Sequence, residues 1–158
     1  MRAIKIIIAC LALAGCSLFP AQAVKDARVA ARAGVVGVAG ATRGLTVLCT
    51  ETVSASVANI DKLSLAQVQD VLRVANACAA AADTAGPLLE NAALVLDKWN
   101  GSETTSASDV LVVTCNVART VASLHVAANV LVSHGVKLPE ALVSELQIGD
   151  IASEACAQ

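Results

Sequence analysis

Residues 109–135 read DVLVVTCNVARTVASLHVAANVLVSHG, and this stretch decides the fold. Its apolar side chains recur at spacings of three and four residues, at Val113, Val117, Val121, Leu124, Ala128 and Leu131. That spacing is the period of one helix face, whereas a half-buried strand would alternate. Gly135 follows the last of these side chains, at a position where glycine commonly caps a helix. The stretch therefore predicts one long amphipathic helix.

Helical spacing continues on both sides of this stretch, and no segment has the alternation of a strand. The pattern predicts a first helix from about Gln22 to Val57. Ser64-Leu65-Ala66-Gln67 then has the form of a capping box, which begins a second helix. Gly86-Pro87 is expected to end that helix, because proline in a helix interior lacks the hydrogen-bonding N–H and clashes with the preceding turn.

The remaining segments complete an all-α bundle of four to five helices. We predict a helical domain over 24–158 that consists of a hairpin over 24–86, a short helix over 87–99, a polar linker over 100–108 and a hairpin over 109–158. The last helix is expected to begin at Pro139 and to reach Cys156, with a bend at Gly149. Each hairpin is expected to be antiparallel, since its connection is short.

Four glycines lie within the first predicted helix, at Gly34, Gly37, Gly40 and Gly44. Each costs up to about 1 kcal/mol relative to alanine in a helix. We therefore expect another backbone of the bundle to approach closely there. Small-residue packing between helices in a membrane is the alternative, but Arg32 and Arg43 disfavour it because they leave only ten residues between them.

The N-terminus has the layout of a secretory signal peptide. Arg2 and Lys5 precede the apolar run 6–14. This run is shorter than the roughly 20 residues that a membrane-spanning helix needs.

Leu13-Ala14-Gly15-Cys16 closes the apolar run and resembles the lipobox of bacterial lipoproteins. The resemblance implies a lipoprotein signal peptide over 1–15, acylation of Cys16 with chains such as palmitate, and a lipidated tether over 16–23. Ser17, in place of the aspartate that retains lipoproteins in the inner membrane, implies the periplasmic face of the outer membrane. The alternative is cleavage after Ala21-Gln22-Ala23, which would release a soluble periplasmic protein beginning at Val24.

The charges are unevenly distributed along the chain. Removal of the leader leaves nine basic and thirteen acidic side chains, a balance that argues against a nucleic-acid partner. Four cations near the tether are nevertheless spaced to share one helix face, at Lys25, Arg28, Arg32 and Arg43. They are candidates for contact with anionic lipid headgroups, at about 1 kcal/mol per cation. The alternative is the solvated face of an amphipathic helix.

Four cysteines remain beyond the tether, at Cys49, Cys78, Cys115 and Cys156, and they allow three connectivities. In an antiparallel hairpin, facing residues lie at similar distances from the turn. Cys49 and Cys78 are centred on the predicted turn at 59–64, and Cys115 and Cys156 are centred on Gly135. We therefore predict Cys49–Cys78 and Cys115–Cys156 disulfides. A zinc site is disfavoured, because the long spacings lack paired C-x₂-C ligands.

Other reactive groups form no recognisable catalytic arrangement. His125 and His134 lie nine residues apart, on opposite sides of the predicted helix, and so cannot form a two-ligand metal site there. The chain has no G-x-S-x-G, P-loop or H-E-x-x-H motif. We expect no enzyme activity, no cofactor and no metal.

These features favour a small envelope lipoprotein that acts by binding. The leading hypothesis is a membrane-anchored helical module that engages another envelope protein. A lipid or amphiphile carrier is the second hypothesis, because hairpins lined by alanine, valine and leucine could part around an acyl chain. The third is a phage-encoded lipoprotein of superinfection exclusion.

Overall fold

The computed structural model describes residues 21–101, 106–144, 146 and 156. This part of the chain contains three long α-helices and no strand. They are α1 (Ala21–Val57), α2 (Leu65–Gly101) and α3 (Ala107–Ser133), and a short 3-10 helix (Ile60–Lys62) lies between the first two. Residues 140–144 are again helical. The predicted all-α bundle of two disulfide-linked hairpins is confirmed.

The connection between α1 and α2 is built as the sequence predicts. The Ser64 backbone N–H donates to Oε1 of Gln67 at 2.8 Å, and the Gln67 backbone N–H faces Oγ of Ser64 at 3.4 Å. These reciprocal contacts form the capping box, which satisfies backbone donors that the first helical turn leaves without partners.

The predicted helix end at Gly86-Pro87 is wrong, and with it the separate helix over 87–99. α2 runs without a break to Gly101 and contains Pro87 in its interior. Pro87 is exposed, whereas its helix buries a stripe on both sides of it, with Ala81 and Ala85 before it and Ala92 and Val95 after it.

Packing along this stripe explains why the helix continues, since tertiary contacts commonly override local propensity. The preceding residue, Gly86, has no Cβ, which removes part of the clash that proline imposes on the residue before it.

Both ends of α3 have well-defined caps. Oγ of Ser106 accepts a hydrogen bond from the Asp109 backbone N–H at 3.1 Å, so α3 begins inside the predicted linker over 100–108. At the other end, Gly135 has a φ of 80°. The Val136 N–H donates to the Leu131 carbonyl at 3.1 Å and the Gly135 N–H to the Val132 carbonyl at 2.9 Å. This pair of bonds is a Schellman motif, so the predicted glycine cap is confirmed.

α3 supplies the centre of the core. Every member of its predicted apolar face is buried except Val117, which is half-buried. One cluster of buried side chains packs around Leu124 and Leu131, and the other packs around Val113 and Trp99. Leu142 and Leu146, beyond the Schellman turn, are buried against the first cluster.

Gly34, Gly37 and Gly44 of α1 do not have the role that the sequence predicts for them. A Cβ at Gly34 would meet the Val117 side chain at 3.7 Å, an ordinary contact, and a Cβ at Gly37 or Gly44 would meet nothing within 4 Å. Two alanines of this helix, Ala27 and Ala41, are buried in the core clusters. Close packing is therefore achieved by alanine.

Both predicted disulfides are present. Cys49 of α1 is bonded to Cys78 of α2, with a Cα–Cα distance of 6.1 Å. Cys115 of α3 is bonded to Cys156, with a Cα–Cα distance of 5.4 Å. Helical residues 140–144 begin one residue after Pro139. The predicted course of the last helix through Gly149 lies outside the described residues.

Candidate binding surfaces

Three of the four predicted headgroup cations lie exposed on α1, at Lys25, Arg32 and Arg43. The fourth, Arg28, is half-buried, and its guanidinium carbon lies 5.8 Å from the centroid of the Trp99 ring. The angle around the helix axis does not separate it from the others, since at 100° per residue Arg28 lies about 40° from Arg32. What distinguishes Arg28 from the other three cations is its half-buried position over Trp99.

Arg28 has a structural environment instead. The Trp99 ring is 3% exposed and belongs to the cluster that Ala27 and Val110 also line. A guanidinium over such a ring is stabilised by the negative potential of the ring face, by about 0.5 to 2 kcal/mol. Arg28 thus helps α1 to pack on α2.

Exposed valines alternate with the three outward cations. Val29, Val36 and Val47 are 68%, 71% and 54% exposed. Their spacing places them within about 60° of the three cations around the helix axis. We call this surface the basic–valine face, and its residues are Lys25, Val29, Arg32, Val36, Arg43 and Val47.

Two helical stretches, Lys25–Val57 and Ser108–Ser133, are long and apolar enough to cross a membrane by length and composition alone. They differ in how much of them the bundle covers. In the most apolar segment of the second stretch, 44% of the segment is buried, whereas in that of the first stretch only 22% is buried. The second stretch therefore behaves as a core helix, whereas much of the apolar surface of α1 lacks cover from the described residues.

A cleft lies at the turn end of the first hairpin, and we call it the turn-end cleft. Its volume is about 260 Å³, and it is lined by Thr52, Val53, Ser56, Leu63, Gln67, Asp70, Val71, Val74 and His134. Residues of α1, α2 and the end of α3 therefore meet there. Sequence patterns do not predict this cleft, since no local motif connects residues so far apart in the chain.

The polar wall of the turn-end cleft is rich in hydrogen-bond acceptors. The hydroxyls of Thr52 and Ser56 donate to carbonyls of their own helix at 2.7 and 2.9 Å, which leaves their lone pairs available. Asp70 contacts Arg73 at 3.2 Å, and one carboxylate accepts several hydrogen bonds. The cleft is thus suited to a group that donates hydrogen bonds.

His134 also lines the turn-end cleft. Its Nδ1 lies 2.8 Å from the Val130 carbonyl oxygen, and a carbonyl only accepts, so this hydrogen bond requires the proton on Nδ1. Nε2 of the same ring lies 4.0 Å from Oδ1 of Asp70. His125 lies elsewhere, with its Nε2 3.0 Å from the Leu146 carbonyl oxygen.

Large apolar side chains are exposed at the same end of the hairpin. Val57, Ile60, Leu65 and Leu72 are 52%, 48%, 76% and 56% exposed, and we call them the turn-end rim. Leu65 and Leu72 are seven residues apart on α2, so they share one helix face. None of the four lines the turn-end cleft, and at 100° per residue Leu65 and Leu72 lie on the side of α2 away from Gln67 and Val74.

The described residues contain no group of three or more His, Cys, Asp and Glu side chains that could hold a metal ion. Cys16, the predicted acylation site, lies outside these residues. Comparison of the chain with protein-family models, with curated proteins and with solved structures gives no match.

Proposed function

We propose that this chain is a periplasm-facing lipoprotein, anchored through Cys16, whose helical body binds another envelope protein. The lipobox-like Leu13-Ala14-Gly15-Cys16 supports the anchor. The two disulfides support export, because such bonds persist in oxidising compartments such as the bacterial periplasm.

The turn-end rim is the observation that carries the binding proposal. Soluble proteins seldom leave clustered large apolar side chains exposed, and such clusters often mark interaction sites. Leu65, at 76%, is the most exposed of them. With 37 residues, α1 is about 55 Å long, which separates the rim from the tethered end of the helix. A partner at the rim would therefore not compete with the anchor.

The turn-end cleft lies on a different side of α2 from the rim leucines, so a partner at the rim would reach the cleft only by extending around the helix. In the cleft, a lysine, arginine or amide side chain of the partner would donate to the Asp70 carboxylate. A carrier function receives less support. The volume of about 260 Å³ lies below the roughly 300–1,000 Å³ of sites that enclose drug-sized ligands.

Crosslinking in cells tests the proposal. A photoreactive amino acid at Leu65 should give a discrete protein adduct, because this side chain would be buried by the partner. Leu94 is the matched control, since it is also a leucine of α2 and is 58% exposed, but it lies far along the helix. Ile60 is a second probe position on the rim.

Placing glutamate at Leu65 should abolish the adduct formed from a probe at Ile60, since a charge would be buried without a partner. Identical adduct patterns from positions 65 and 94, or no adduct from position 65, would contradict the proposed binding site.

A further inference from the structure

We propose that the basic–valine face of α1 rests on the surface of an anionic phospholipid bilayer. The face combines the two attractions that hold a helix in a membrane interface, apolar area and positive charge. Val29 and Val36 are about 70% exposed, and Lys25, Arg32 and Arg43 flank them along the helix. The inference goes beyond the proposed protein partner, because it concerns a different surface.

Charge favours lipid over a second copy of this chain. A symmetric contact through the same face would bring like cations together, which is destabilising. The chain as a whole carries a net charge of −2, so positive charge concentrated on one face is a local feature. An anionic lipid surface complements this local positive charge.

The same residues argue against α1 crossing the bilayer, although its length and hydropathy would permit a span. The opposite side of α1 is buried in the bundle through Val38, Ala41 and Leu45. The Cys49–Cys78 disulfide also joins α1 to α2. Crossing would pull this side away from its contacts and carry Arg32 and Arg43 into hydrocarbon. If α1 lies on the bilayer surface instead, its contacts with the bundle are kept and Arg32 and Arg43 stay outside the hydrocarbon.

The acyl chain on Cys16 would make this contact effective. A tether turns binding of the face into an intramolecular event, so a weak surface attraction is sufficient. The inference rests on the proposed function only for this tether. Each cation near an anionic surface increases the equilibrium constant for contact about fivefold, so removing three should reduce this constant on the order of a hundredfold.

Quenching of tryptophan by brominated lipids tests the orientation. Full-length acylated protein is reconstituted in brominated vesicles of phosphatidylethanolamine with phosphatidylglycerol, and in brominated vesicles of phosphatidylcholine alone. Val36→Trp places a reporter on the face, and Leu94→Trp is the control on exposed α2. The buried Trp99 gives a background that the wild type measures. We expect strong quenching only at position 36 and only with phosphatidylglycerol.

Two triple variants test the role of charge, each in the Val36→Trp background. The first replaces Lys25, Arg32 and Arg43 with glutamine and should reduce quenching to that of Leu94→Trp. The second replaces Lys98, Arg119 and Lys137 with glutamine. These three cations are exposed outside the basic–valine face, so this variant loses as much positive charge as the first. It should keep the quenching, which separates a specific face from net charge. Circular dichroism verifies that each variant remains helical.

Equal quenching at positions 36 and 94 would overturn the inference, as would quenching that persists in the first triple variant. A photoreactive probe at Val36 that captures an acidic protein in cells, instead of phospholipid, would also reject it. Labelled palmitate separates the two proposals. If the protein carries the palmitate label but the tryptophan at position 36 is not quenched, the contact of the basic–valine face with lipid is rejected and the anchor is kept. If the protein carries no label and does not stay with the vesicles, both the anchor and the contact are rejected.

Discussion

Gly135 is the residue on which the end of α3 depends. Its φ of 80° lies in the left-handed region, which side chains with a Cβ rarely adopt. This conformation allows Val136 to turn back toward Leu131 and to pack on the main core cluster. It therefore also sets the direction in which the chain leaves α3 toward Leu142.

We predict that Gly135→Ala lowers the free energy of unfolding by about 1 kcal/mol, through backbone strain. Nothing lies within 4 Å of the added Cβ, so steric contact does not contribute. Gly44→Ala is the control, for which we expect the free energy of unfolding to change in the opposite direction. Gly44 is helical and its Cβ site is also open, so alanine should stabilise by up to about 1 kcal/mol. Urea unfolding of both variants checks this, and equal shifts would contradict the strained cap.

Arg28 shows what helical spacing can and cannot predict about a single residue. Spacing correctly places Lys25, Arg32 and Arg43 on an outer face, because a regular helix fixes the direction of each Cβ. Arg28 is close enough to that face to be grouped with it by counting. Its guanidinium lies over Trp99, a residue on another helix that no local pattern connects to it.

At the scale of elements, α2 is where local signals and tertiary packing disagree. The capping box at Ser64 is a contact between neighbours in sequence, so its residues predict it directly. The stop at Gly86-Pro87 was predicted by equally local reasoning, and the structure contradicts it. The difference is that Ala85 and Ala92 continue a buried stripe whose partner helix is remote in the chain.

Replacement of Pro87 by alanine tests the continuous helix. We expect Pro87→Ala to raise the free energy of unfolding by about 1 to 3 kcal/mol, because it restores a backbone hydrogen bond and removes the clash with the previous turn. Pro87 is exposed, so little packing is lost. Glu90→Ala, at another exposed position of α2, should change stability by only about 0.5 kcal/mol. A loss of stability in Pro87→Ala would indicate that proline instead ends a helix, and unfolding curves decide between these outcomes.

In the molecule as a whole, the disulfides join helices that pack against one another through small side chains. The chain has one Trp, one Phe and no Tyr, so its core relies on Ala, Val and Leu. Bridges with sequence separations of 29 and 41 residues should each contribute about 3 to 4 kcal/mol in the chain-entropy model. Such contributions are large beside the roughly 5–15 kcal/mol of a typical domain.

The pairing of these cysteines was predictable, whereas the turn-end cleft was not. An antiparallel hairpin relates two positions by their distance from one turn, so Cys49 and Cys78 could be matched by counting. Asp70 and His134 belong to α2 and to the end of α3. Their approach depends on how three helices pack together, which spacing along one helix does not contain.

The anchor is a property of the whole molecule, since it would fix where both binding surfaces operate. We predict that Cys16→Ala abolishes incorporation of labelled palmitate, because the thiol that carries the lipid is removed. Cys10→Ala is the control, since Cys10 lies in the apolar run of the leader and should leave labelling intact. The variant at Cys16 should persist as an uncleaved precursor or as a soluble protein beginning at Val24. A wild type that takes up no label and itself begins at Val24 would show that cleavage follows Ala21-Gln22-Ala23, and that the bundle is free in the periplasm.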